Sequence, residues 1–96
     1  MAVGDTYSGE SSIAAGAYLD IQPAGTVEAV IHNIYHESDA QLEQYDGANS
    51  LIFDTMAGAG VWASFAFHVT NSIRIRVKNT TGAAKLIGYD GIVSHA

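Results

Sequence analysis

Between Val61 and Lys78 the sequence VWASFAFHVTNSIRIRVK repeats with a period of two. Val61, Ala63, Phe65, Phe67 and Val69 are apolar at successive odd positions, and after Thr70, Asn71 and Ser72 the odd positions Ile73, Ile75 and Val77 are apolar again. Arg74, Arg76 and Lys78 occupy the even positions of the second half. Neighbouring side chains point to opposite faces in an extended strand, so this alternation specifies half-buried strands and not a helix. It predicts a hairpin in which Val69 faces Ile73 across a three-residue turn. The odd residues of both strands would then share one buried face, and burial would fix the register. Trp62, His68 and the three cations would lie together on the opposite, outer face.

The rest of the chain reads in the same way. Residues 1–12, MAVGDTYSGESS, are small and polar and read as a flexible N-terminal arm, with the folded domain covering residues 13–96. Ala17–Gln22 alternates weakly and stops at Pro23, which ends a strand or confines it to an edge. Thr26–Glu37 carries apolar residues on both faces and reads as a central strand. Ala40–Asp46 and Ser50–Met56 follow, separated by Asp46-Gly47, a dipeptide suited to a tight turn. Ala84–Tyr89 and Ile92-Val93 would be the last two strands, with a turn at Asp90-Gly91. Seven or eight short strands divided by turn signals predict an all-β domain, an antiparallel sandwich or small barrel.

Charge restricts the partners. The formal net charge is −6, and all four basic residues (Arg74, Arg76, Lys78, Lys85) follow nine of the ten acidic ones. Such a surface would mostly repel phosphate, so nucleic acid is not an expected partner. The basic ribbon reads either as a contact for an acidic surface, on another copy or a larger partner, or as solvated charge guarding strands against aggregation. There is no cysteine, which excludes disulfides, thiolate metal sites and a cysteine nucleophile. No apolar run reaches the roughly 20 residues of a membrane helix, and MAVGDTYSGE has no signal-peptide pattern. A soluble chain made in a cytoplasm is expected.

Candidate chemistry is sparse. His32 and His36 would converge on a metal from a helix, but on a strand they are roughly 13 Å apart, too far to share one ion. Glu37, Asp39, Asp46, Asn49, Asp54 and Asp90 lie near turns, without the dense oxygen ladder of a calcium loop. No serine sits in a nucleophile elbow, and Ala57-Gly58-Ala59-Gly60 lacks the lysine of a phosphate loop. No enzyme activity and no cofactor are expected. The residues proposed for contact are Trp62, His68, Arg74, Arg76 and Lys78, with Trp62 as an aromatic anchor.

The runs VEAVIHNIYHE, QLEQYDGANSLIFD, FHVTNSIRIRVKN and LIGYDGI, within roughly Ala17–Val93, resemble the small structural proteins of tailed-phage virions, of the head-decoration or capsid-cement type. The resemblance implies a β-sandwich of jelly-roll type and a homo-oligomer, with a trimer favoured. It implies a place on the virion surface, where the protein would bridge major capsid subunits and reinforce the shell. It brings no catalytic residue, no nucleic-acid partner and no membrane partner. The alternative, from another class, is a carbohydrate- or surface-binding β-sandwich module, motivated by Trp62, Tyr35 and Tyr45.

Overall fold

The structure, a computed structural model, describes all of residues 1–96 and contains no helix. Its nine strands are β1 (Thr6–Ile13), β2 (Tyr18–Ile21), β3 (Glu28–His36), β4 (Ala40–Tyr45), β5 (Ser50–Met56), β6 (Gly60–Trp62), β7 (Phe67–Val69), β8 (Arg74–Asn79) and β9 (Lys85–His95). They form two antiparallel sheets. One runs β1-β9-β3-β6, with β7 also on β3; the other runs β2-β8-β4-β5. The sheets enclose one core in a sandwich-like arrangement. Ile13, Ala29, Ile31, Ile34, Trp62, Val69 and Ile87 come from the first sheet, and Ile21, Ala40, Leu42, Ile75 and Val77 from the second. Only 19 of 96 residues are buried, so each of these side chains is a large share of what holds the sheets together.

The stretch expected as a flexible arm is instead largely β1, paired with β9 along its whole length from Thr6↔Ile92 to Ile13↔Lys85. Tyr7 and Ile13 face inward and Thr6, Ser8, Glu10 and Ser12 outward, so the period of two is present but carried mostly by small polar residues. Tyr7 packs on Tyr89 with ring centroids 5.7 Å apart. Burial, with the neighbouring Tyr89 hydroxyl, pushes the Tyr7 phenol up to about 12. Gly9 lies beneath that ring: a Cβ there would stand 2.9 Å from the Tyr89 hydroxyl oxygen.

The expected hairpin of residues 61–78 does not form. β7 pairs with β3 in one sheet, whereas β8 lies between β2 and β4 in the other. Thr70–Ile73 is a crossing between sheets, closed by Thr70 N–H donating to the Ile73 carbonyl (2.8 Å) and by the Ile73 N–H donating to Thr70 Oγ1 (3.0 Å). The alternation also breaks before β7. Residues 63–66 leave the sheet, Ser64 takes φ 62°, and Phe65 N–H donates to the His32 carbonyl. That interruption inverts the faces: Trp62 is buried and Val61 exposed, while Phe67 and Val69 turn inward. From β8 onward the expected pattern returns, with Ile75 and Val77 buried and Arg74, Arg76 and Lys78 on the outer face.

Asp90-Gly91 is not a turn but the middle of β9. Gly91 opposes Ile31 where the β3–β9 register shifts, and a Cβ at Gly91 would fall 2.0 Å from the Val30 carbonyl oxygen. Glycine is needed there for close backbone approach.

Candidate interaction surfaces

The five residues expected to share an outer face are distributed over three places. Trp62 is 3% exposed. Its indole packs against the His36 ring, centroids 4.7 Å apart and planes tilted by 41°, and Nε1–H donates to Asp54 Oδ2 at 2.9 Å. A tryptophan needs a polar partner for its N–H when buried, and Asp54 reaches in from β5 to supply it. His68 is on the outer face of the first sheet, 2.9 Å from Glu28 Oε1. Arg74, Arg76 and Lys78 are on the outer face of the second sheet.

Those cations are built into the sheet by its register. Tyr18 of β2 opposes Lys78, and Tyr45 of β4 opposes Arg74. The Arg76 guanidinium is held between the two rings, 4.0 Å from the Tyr18 centroid and 3.9 Å from the Tyr45 centroid. Arg74 covers Tyr45 at 4.7 Å and Lys78 lies 5.7 Å from Tyr18, so cations and rings alternate along the strand. Carboxylates complete the face: Asp20 is 3.3 Å from Arg74, and Glu43 is 3.4 Å from Arg76. Burial alone would raise the Glu43 carboxyl, but hydrogen bonds from Ser50, Tyr18 and Arg76, with the guanidinium charge, hold it below the ordinary carboxylate value. The arginines are mostly covered on their own face, where Arg76 Nε and Glu43 Oε2 are buried without a hydrogen-bond partner.

The outer face of the first sheet is acidic around a shallow trough. Glu10, Ser8, Tyr35 and Asp90 rise around Gly88, whose missing side chain leaves the floor low. Asn33 Nδ2 and Tyr35 Oη donate to the Asp90 carboxylate. These hydrogen bonds, Tyr35 first, hold the Asp90 carboxyl below its usual value. No group of three or more His, Asp or Glu side chains is placed to hold a metal ion. His32 Nδ1–H donates to the Phe65 carbonyl (2.8 Å), and His36 is buried between the Ser38 carbonyl and Met56 Sδ.

Several large apolar side chains are exposed together on a surface that includes Phe65, Phe67 and Ile73, which the sequence pattern assigns to the core. β5 is the free edge of the second sheet, and across the open side of the sandwich β7 is at the edge of the first. Leu51 (61% exposed), Phe53 (42%) and Phe65 (41%) line this side with Ile73 and the half-buried Phe67. Phe67 lies 5.7 Å from Phe53 and 5.0 Å from Phe65, ring to ring. Gln44 and Leu51 continue the surface to Ile73. A register shift at Phe53, between Leu42↔Asp54 and Glu43↔Ile52, turns this side chain toward the opening. The alternation marks Phe65, Phe67 and Ile73 as core residues. It carries no sign that β5 and β7 stand at a side the two sheets do not close.

No helix of the chain is long and apolar enough to cross a membrane. Compared with known proteins, the chain matches no family model and no curated sequence.

Proposed function

We propose that this chain is a non-enzymatic virion structural protein, which decorates a phage capsid and stabilises it by bridging major capsid subunits as a homo-oligomer. The observation that carries the reading is the open side. Monomeric soluble domains rarely expose a contiguous patch of large apolar side chains, and Leu51, Phe53, Phe65 and Ile73 form one here. A chain with so small a core gains stability when partners cover such a patch, because they bind only the folded state.

The finer fold reading is a jelly roll. β1 pairs β9, β2 pairs β8, β3 pairs β6 and β7, and β4 pairs β5. This is one long antiparallel hairpin, and it is rolled over so that β9 meets β3 and β8 meets β4. Jelly rolls recur in viral capsid and lectin domains, and the resemblance of the VEAVIHNIYHE and FHVTNSIRIRVKN runs to capsid-cement proteins agrees with it. The functional assignment is tested by light scattering of the purified protein and by co-sedimentation with tailed-phage heads. A defined oligomer that binds heads is expected; a strict monomer at about millimolar concentration that ignores heads would sink it.

The trough beside Tyr35 supports the carbohydrate-binding alternative. An exposed aromatic ring flanked by Asp90, Glu10 and Ser8 suits a sugar, with one face for stacking and carboxylates for hydroxyls. Glycan-array binding abolished by Tyr35→Ala would favour that reading over capsid decoration.

A further inference from the structure

We propose that two copies of this chain associate through their open sides, with the β5 edges running antiparallel about a two-fold axis near Ile52. The inference rests on the reading of the chain as a self-assembling module and names the contact that would do it.

Three features of the surface select a second copy as the occupant. First, β5 offers a backbone edge as well as apolar side chains, so the occupant must supply a strand. SLIFDTM has no Lys and no Pro to prevent such pairing, and its edge-blunting features, Asp54 and the bulge at Phe53, fall at one end of the strand. Second, the patch complements itself. A two-fold axis at Ile52 sets Leu51 of each copy against Phe53 of the other and places Asp54 near Ser50, so no carboxylate opposes another. The bulge at Phe53 ends the ladder after these rungs, and Asp54 stays bonded to its own Trp62. Each copy has a net charge of −6, and a stable contact must form where that repulsion is weakest. The open side is such a place: Leu51, Phe53, Phe65, Phe67 and Ile73 carry no charge, and the carboxylates at its rim are Asp46, beside Leu51 and Ile73, and Asp54, which is bonded to Trp62.

Third, the area approaches what a stable contact needs. Leu51, Ile52, Phe53, Phe65 and Ile73 are each 41–61% exposed. At roughly 150–200 Å² per large side chain this leaves about 400 Å² per copy to cover. Two copies supply about 800 Å² from these side chains, and Phe67, Gln44 and the strand backbone add to it, toward the roughly 1,200 Å² at which stable interfaces begin. Pairing would also place the two Phe53–Phe67–Phe65 clusters together, so that the two cores meet at their open sides. An isologous contact of this kind closes at two and gives a dimer, not the trimer that the capsid resemblance suggests.

The absence of cysteine provides a clean test. Ile52→Cys puts one thiol on the axis, where facing Cα atoms of an antiparallel pair are about 4.5–5.5 Å apart and within disulfide range. Mild oxidation should convert most of the Ile52→Cys protein to a covalent dimer, while Leu86→Cys, on the outer face of the first sheet, should stay monomeric on a denaturing gel. Sedimentation equilibrium should give a wild-type dimer that tightens as salt screens the −6 charge. Leu51→Lys with Phe53→Lys should weaken it by at least about 100-fold, because a lysine would be buried without a partner. Circular dichroism confirms that the variants are folded, and Phe65→Ser serves as a second variant if the double lysine protein is not. A wild-type trimer, or a dimer that survives these substitutions and crosslinks through Leu86→Cys, overturns the β5 contact and leaves the self-assembly reading standing. A monomer at all concentrations, with or without phage heads, removes both.

Discussion

Gly91 and Val30 are so close across the β3–β9 pair that a single added carbon would fall 2.0 Å from the Val30 carbonyl oxygen. A backbone oxygen in a sheet cannot move away as a side-chain end can, so the register itself would have to shift. Gly91→Ala should therefore cost at least about 3 kcal/mol, at the upper end of overpacking effects. Gly82→Ala, where nothing lies within 4 Å, should change stability little. Urea midpoints of the two variants provide the comparison, and equal midpoints would show that β3 and β9 are not packed as described.

Asn79 holds three segments from the end of β8. Its Nδ2 donates to the Ile13 carbonyl at 2.9 Å and the Ala83 carbonyl at 2.7 Å, while Oδ1 accepts from the Thr81 N–H at 2.9 Å. The side chain is fully buried, so removing it strands the buried Ile13 carbonyl, while the Ala83 carbonyl keeps the Thr81 hydroxyl. Asn79→Leu, which keeps the volume, should cost about 1–3 kcal/mol per group stranded. Asn79→Asp should also destabilise, because a carboxylate cannot donate. Chemical denaturation of both variants tests the assignment; a neutral Asn79→Leu would show that the bonds contribute nothing net.

What could be read in the sequence follows from how locally it is encoded. The strands β3, β4, β5 and β8 are visible because their alternation belongs to neighbouring residues, and Ile75 and Val77 are buried as the pattern requires. β1 was hidden because an edge strand needs few apolar residues, and Ser8, Glu10 and Ser12 satisfy its outer face. Pairing was not legible. Whether Val69 leads into a hairpin or a crossing depends on β3 and β4, far away in sequence. Gly91 looks like half of a turn until the backbone opposite is known. The position of Trp62 is hidden for the same reason: parity places it outward, and four residues outside the sheet at 63–66 invert that parity. Arg76 reads as a free charge until Tyr18 and Tyr45 are seen on either side of it.

Trp62 is the chain's one tryptophan and lies in the core beneath Asp54 and against His36. Its fluorescence should be blue-shifted in the native protein and poorly quenched by acrylamide, with both properties lost together on unfolding. Trp62→Ala should cost about 3–5 kcal/mol through the cavity it leaves, a large part of the stability of a domain with 19 buried residues. Trp62→Phe should cost less, since it keeps the ring and loses the bond to Asp54. Native emission at the wavelength of free tryptophan would return Trp62 to the surface.

The pair formed by Glu43 and Arg76 makes stability depend on acid. Glu43 is 3% exposed at its side chain and Arg76 17%, so the pair is poorly screened by water. Replacing Arg76 with Ser removes the cation from between Tyr18 and Tyr45 and leaves a buried carboxylate, which should cost about 2–4 kcal/mol. Burial opposes ionisation of Glu43, but Ser50, Tyr18 and Arg76 outweigh it and hold the folded carboxyl below its ordinary value of 4.5. A group whose folded value is depressed binds protons more readily when unfolded. Its contribution is therefore complete above about pH 4.5 and is lost as the pH falls through the lower folded value. Wild-type thermal midpoints should fall steeply on acidification through that window, with Asp90 adding to the slope in the same direction. Glu43→Gln should start lower at pH 7 and fall less, so that the two curves converge in acid. Parallel curves from pH 7 to pH 3 would mean that the Glu43 carboxylate is not stabilised by folding, and that Arg76 is held by its tyrosines alone.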